Sequence, residues 1–334
     1  MKTIKWFGKA CIAGIISITI LSIYIYFFSF SGVHIENKTK ATDYTWEAFS
    51  KKSCTGEGVS WITMDQNGFN NRSFPDSINI LLMGSSHMEA VNLASNQNVG
   101  VQLNDNLQNL TTYNIGVSGH SIYTCIQNME AAILTYEPSD YVILETGSIE
   151  MNVDDMNMVL DNNYPEIVSY DSGILYILQK KLPIVKSVYK TICDWKSAES
   201  RSEVSDTIDK TDYTTQEYKE VLNKFLRKAQ STTESTGAKL IIFYHPQTIL
   251  DNNGNMIITT DSDALSAFQE ACNNNNILFL DMTSDFEKIY YEDHILAHGF
   301  INTAVGVGHL NKYGHKIIAE RLAEIIGGEN NVSE

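Results

Sequence analysis

Basic residues are scarce in this chain. Its 334 residues include 24 Lys and Arg against 40 Asp and Glu, a formal net charge of -16. A surface that acidic repels phosphate backbones, so nucleic acid is not an expected partner. Most of the acidic excess reads as ordinary solubility. Cysteine is scarce too, five in all. Cys11 sits in an apolar run, while Cys54, Cys125, Cys193 and Cys272 stand far apart, with no CxxC or other metal-ligand spacing. They read as small buried hydrophobes; a disulfide stays open, but spacing cannot pair them. His87, His120, His245, His294, His298 and His315 contain no HExxH-like pair. His294 and His298 stand four apart and could share a metal only on a helix. No metal and no cofactor is expected. The chain also lacks internal repeats and a second long apolar run.

One such run is present. Lys2, Lys5 and Lys9 precede "ACIAGIISITILSIYIYFFSFSGV", uncharged from Ala10 to Val33. Roughly 20 apolar residues span a bilayer core, and Tyr24, Tyr26 and the nearby Phe residues suit the far interface. The leading lysines favour a cytoplasmic N-terminus, with Lys38 and Lys40 weighing against them. No small-residue cleavage site follows the run, and Lys9-Ala10 ahead of Cys11 does not make a lipoprotein signal. The expectation is an uncleaved single-pass anchor over residues 10–33, with everything after it outside the cytoplasm.

Residues 34–76 are polar and irregular, a stalk or a small cover. After them, strand-like runs alternate with helix-like ones. Strands are expected at 78–83, 111–116, 140–146, 239–245 and 277–281, and helices at 98–109, 122–137, 216–235, 262–274 and about 312–326. That alternation predicts an α/β domain over 77–327 with a parallel sheet covered on both faces, followed by a tail at 328–334. Residues 151–215, rich in Asp, Asn and Ser, break the alternation and read as an insertion, a lid over the sheet's rim. Sites in such sheets form where strand C-termini meet loops.

Three segments fall on that rim: "GSSH" at 84–87, "NIGVSGHS" at 114–121 and "GHLNKYGHKIIAERL" at 308–322. Each has a plain structural explanation. Ser86 through Glu89 fits an S-x-x-E capping box; Gly116 and Gly119 suit turns; Asn311 can cap the last helix. The chemistry offers another. A serine needs a base within hydrogen-bond reach to become a nucleophile, and donors aimed at the oxyanion. A helix N-terminus supplies one such N–H, so the expectation is that Ser86 serves as cap and nucleophile together.

These segments, in this order, resemble three blocks of the SGNH/GDSL hydrolases over roughly residues 77–327. The resemblance implies a three-layer α/β/α, flavodoxin-like fold and a serine esterase or O-acyltransferase. It implies Ser86 as nucleophile, His309 as general base, and the backbone N–H groups of Ser86 and Gly119 as oxyanion donors. Two family features are missing. The third block here reads "ETGSIEMN", with Ile149 where an Asn usually donates to the oxyanion; Ser148 or Asn152 could substitute. Gly306 stands where the triad Asp usually does, leaving a dyad unless an acid such as Asp293 comes from elsewhere or a backbone carbonyl orients His309. The expected substrate is an acylated cell-surface glycan or another small ester, by location and analogy. The alternative is an inactive protein of the same fold that binds glycan or an assembly partner.

Overall fold

The computed structural model describes residues 2–28, 32–167, 177 and 211–330. A long first helix, α1 (Lys2–Phe28), contains a 21-residue stretch, Lys5–Ile25, of mean hydropathy 1.8 and almost no burial. It is long and apolar enough to cross a membrane.

The domain is built on a five-stranded parallel sheet. Its strands are β5 (Ile80–Met83), β6 (Thr112–Asn114), β7 (Tyr141–Thr146), β8 (Lys239–Tyr244) and β11 (Leu278–Asp281); between the last two the chain forms a separate hairpin, β9 (Thr248–Leu250) with β10 (Met256–Ile258). The spatial order β11-β8-β7-β5-β6 is the doubly wound order with a switch point between β5 and β7. Alternate side chains feed opposite cores. Leu81, Met83, Val142, Leu144, Leu240 and Ile242 enter one apolar cluster; Ile80, Leu82, Tyr141, Ile143, Ile241 and Phe243 enter the other. A strand buried on both faces must be apolar throughout, which is why these runs carry no polar alternation.

Helices cover both faces. On the first lie α4 (Ile122–Tyr136), α5 (Val153–Leu160), α6 (Gln216–Glu234) and α7 (Ser262–Asn274). On the second lie α3 (Val99–Asn106), α8 (Thr283–Asp293) and α9 (Lys312–Asn330). The layers are therefore α/β/α, as expected. Caps place the helix starts: Thr215 accepts from the Tyr218 N–H, Asp261 from those of Asp263 and Ala264, and Asn311 from those of Tyr313 and Gly314.

Two sequence expectations change. The insertion assigned to 151–215 starts too early, because α5 is a core helix. Asn152 caps it, and Met156 and Val159 are fully buried. Apart from Ile177 and residues 211–215, the remaining stretch from 168 onward lies outside the described residues. Residues 34–76 are also more ordered than their composition suggests. β1 (His34–Glu36) pairs antiparallel with β2 (Tyr44–Trp46), and β3 (Lys51–Cys54) with β4 (Ser60–Thr63). Trp46, Ile62 and Met64 pack with Val91 in a small core of their own. Strands of three or four residues are too short for alternation to show in a sequence. The segment is a cover bound to the domain.

Buried imidazoles make this packing acid-sensitive. His315 lies inside the second layer and accepts the Val99 N–H on Nδ1 at 3.1 Å. Burial, then the neighbouring His245 and His309, pull its pKa down to about 3. The unfolded imidazole titrates near ~6.5, so below that pH the unfolded chain takes up a proton that the folded chain refuses. Stability from His315 is complete above pH ~6.5 and drains as pH falls toward 3. At pH 5 the loss is about 2 kcal/mol. Urea midpoints at pH 7.5 and 5.0 should differ accordingly, and His315→Asn should narrow the gap. A profile equally steep in that variant would contradict the neutral, buried state.

Candidate active site

Four loops leave the C-terminal edge of the sheet around the switch point. β5 ends at Met83, and Gly84 and Ser85 lead into a short helix, α2 (Ser86–Glu89). Ser85, not Ser86, is the cap. Its φ and ψ are -85° and -162°, and its side chain accepts the His87 N–H at 3.2 Å. The capping box is absent as well. Glu89 is buried and accepts from Trp46 Nε1 at 2.6 Å, reaching across to the cover instead of back along the helix. Ser86 is thus the first helical residue, and its Oγ is not spent on a cap.

That hydroxyl meets His309. The distance from Ser86 Oγ to His309 Nε2 is 2.8 Å. The other ring nitrogen, Nδ1, stands 2.6 Å from Glu57 Oε2, and Glu57 Oε1 accepts the His309 N–H at 2.5 Å. A serine, an imidazole and a carboxylate form one chain of contacts. The acid is neither at Gly306 nor Asp293; it comes from the cover, 252 residues before the histidine. Glu57 sits in the loop joining β3 to β4, between Gly56 and Gly58. Asn302 clamps that loop, accepting the Gly58 N–H at 2.8 Å and donating to Thr55 O at 2.9 Å. Gly308 admits the carboxylate, since a Cβ there would lie 2.1 Å from Glu57 Oε1. No sequence signal marked Glu57, because nothing in local pattern reveals which hairpin tip will reach a distant loop.

The space before Ser86 is a cavity of about 380 Å³, lined among others by Gly119, Tyr123, Ser148, Met151 and Gln247. The N–H groups of Ser86 and Gly119 take no hydrogen-bond partner among the described residues. Ser148 reaches this wall, although its Oγ already accepts the Glu150 N–H at 3.3 Å. Asn152 does not serve here, being the α5 cap. Ile149 is 1% exposed and belongs to the hydrophobic core, so the usual amide position carries a packing residue. Gln247, two residues past the buried His245, is an exposed amide on the cavity wall that motif reading overlooked.

Behind the serine lies a histidine cluster. The His87 ring is 4.5 Å from that of His245 and 4.9 Å from that of His309, centroid to centroid. Burial, followed by these neighbours, holds His87 well below the usual imidazole range, and burial likewise takes His298 to about 3. Glu145 is fully buried beneath them. Burial pushes its carboxyl up, but the bonds from His245 Nε2 and the Ser85 N–H, both 2.6 Å, outweigh that and hold it below its ordinary value. Ligand atoms of His87, His245 and His298 lie within 4.8 Å of one another. His294 is not part of this group; it ends α8 with a left-handed conformation, so the pair four residues apart never shares a helix. The Leu310 N–H donates to His87 Nδ1 at 3.1 Å, which leaves the proton on Nε2. A divalent cation would need that nitrogen bare, so the cluster does not fit a metal centre.

No family model matches the chain, and no curated protein matches its sequence. Solved structures do resemble its chain path. An acetyl xylan esterase is 14% identical, with 75% of this chain and 100% of that one covered and a TM-score of 0.43. A member of the lipolytic G-D-S-L family from Veillonella parvula is 16% identical, over 75% of this chain and 98% of that one, at 0.40. Likeness this distant carries no chemistry, which rests here on the side chains.

Two substitutions toward the residues that the sequence resemblance implied should therefore fail. Ile149→Asn buries an amide in an apolar core and should cost about 2–4 kcal/mol. Gly306 has φ +72°, beside Leu296, and His309 Nδ1 is already taken, so Gly306→Asp adds strain without a partner. Denaturant midpoints should fall for both. A double variant as stable as wild type would show that the two positions accept the polar side chains.

Proposed function

We propose that this protein is a serine enzyme that breaks or transfers ester-linked acyl groups, with Ser86 as nucleophile, His309 as general base and Glu57 as the acid that orients the base. The observation that carries the proposal is the contact chain from Glu57 through His309 to Ser86. Glu57 accepts the Nδ1 proton, so Nε2 presents its lone pair to the Ser86 hydroxyl. Nε2 takes that proton as Oγ attacks the ester carbonyl, then returns it to the leaving alcohol. The negative oxygen that forms is met by the N–H groups of Ser86 and Gly119, with Ser148 on the same wall. Water, or a hydroxyl of a second molecule, can then collect the acyl group from Ser86.

The substrate class follows from position. Residues 10–33 serve as a membrane anchor, with the domain on the extracytoplasmic face, where acylated cell-surface glycans are at hand. The case for an inactive binding protein rested on the missing acid and amide. Glu57 supplies an acid, which leaves that reading without its main support.

A fluorophosphonate probe labels an activated serine without needing the natural substrate. The full chain should label between pH 6 and 9. Ser86→Ala and His309→Ala should abolish labelling, and Glu57→Gln should slow it on the order of 10³- to 10⁴-fold. Ser85→Ala should still label while losing about 1 kcal/mol of stability with its cap. A folded wild-type protein that never labels in this range would end the enzyme reading.

A further inference from the structure

The cover touches the site twice. Besides Glu57, it sends Tyr44 to the loop that carries Gly119, and Trp46 to Glu89, which also holds that loop. The Tyr44 hydroxyl donates to the carbonyl oxygen of Ser118, and the Ser118 hydroxyl donates to Glu89 Oε2. Glu89 Oε1 in turn accepts from Trp46 Nε1 at 2.6 Å. Tyr44, Trp46 and Glu89 are all buried, at 2%, 5% and 2% exposure. Asn71, also of the cover, donates to Asn114 O at 2.9 Å at the root of the same loop.

The consequence lies in the peptide unit. Ser118 C=O and Gly119 N–H belong to one planar trans amide, so they point in opposite directions. Pinning the oxygen against Tyr44 turns the N–H away from the cover. That N–H has no partner among the described residues, and Gly119 lines the cavity in front of Ser86. We propose that Tyr44 is a positioning residue that aims the Gly119 N–H at the developing oxyanion, so the cover completes the oxyanion pocket as well as the contact chain through His309. Without the tether, the Ser118–Gly119 peptide can rotate, and the donor loses its direction while keeping its place. This rests on the serine-enzyme reading above.

The test is Tyr44→Phe in the full chain, which removes one oxygen and keeps the ring. With a chromogenic acetyl ester, kcat should fall about 10- to 100-fold, less than the full loss of an oxyanion donor. KM should change little, and the acid limb of the pH–rate profile should stay at its wild-type position, since Glu57 and His309 are untouched. Glu57→Gln should lower kcat and move that limb. Ser118→Ala cuts the other tether of the same residue and should lower kcat in the same sense, by less; it decides the matter if Tyr44→Phe does not fold. Wild-type kcat in folded Tyr44→Phe, or in Ser118→Ala where the first variant is unfolded, would overturn the positioning role. A shifted acid limb in folded Tyr44→Phe would overturn it too, by placing Tyr44 on His309 instead. If wild type itself neither turns over nor labels, the enzyme reading fails first, and the two failures are told apart.

Discussion

The whole site hangs on one carboxylate. Glu57 spends one oxygen on the backbone N–H of His309 and the other on its Nδ1. The first bond sets the ring's height in its loop, and the second sets its tautomer. Together they leave Nε2 facing Ser86. Glu57 is held in turn by the Asn302 clamp on its loop and by the bare backbone of Gly308. A hairpin tip and a loop far apart in the chain are therefore mutually required. A charge-assisted bond of this kind is stronger than a neutral one, and its half-buried setting weakens competition from water.

Behind that pair the structure keeps further charge small. His87, His298 and His315 are held neutral by burial. The buried Glu145 has its two bonds from His245 and the Ser85 N–H. The last of these ties the turn that carries Ser86 to the β7 strand, since Glu145 lies in that strand. A protonated His87 stacked 4.9 Å from His309 would disfavour a positive charge on His309, which the proposed base has to carry. A neutral His87 leaves that burden to Glu57. The same burial that keeps these rings neutral makes the fold sensitive to acid, so site chemistry and stability share one cause.

The cover joins the two halves of the chemistry. Its polar sequence hides a small core of Trp46, Ile62 and Met64 against Val91, and that core fixes the two hairpins over the rim. One hairpin carries Glu57 and the other carries Tyr44 and Trp46. Because the cover follows directly on α1, the site is finished by the part of the domain nearest the apolar helix in sequence.

Much of this was legible in the residues alone. Apolar runs such as "ILLM" at 80–83 must be buried on both faces, so the five parallel strands and five of the flanking helices could be placed to within a few residues, while α5 and α8 were not foreseen. Gly84-Ser85-Ser86 at a strand end, and His309 before the last helix, stood out because their positions depend only on local sequence and on the sheet's edge. What local sequence could not say was which partner each side chain would find. Ser86 looked like the cap, but Ser85 holds that bond because the helix begins one residue earlier. Gly306 and Ile149 looked like defects, yet Ile149 fills the core and the acid arrives from Glu57, whose contact with His309 spans 252 residues. Periodicity reports burial and secondary structure, which are local. Hydrogen-bond pairing between distant loops depends on the packed fold, and only the tertiary structure could decide it.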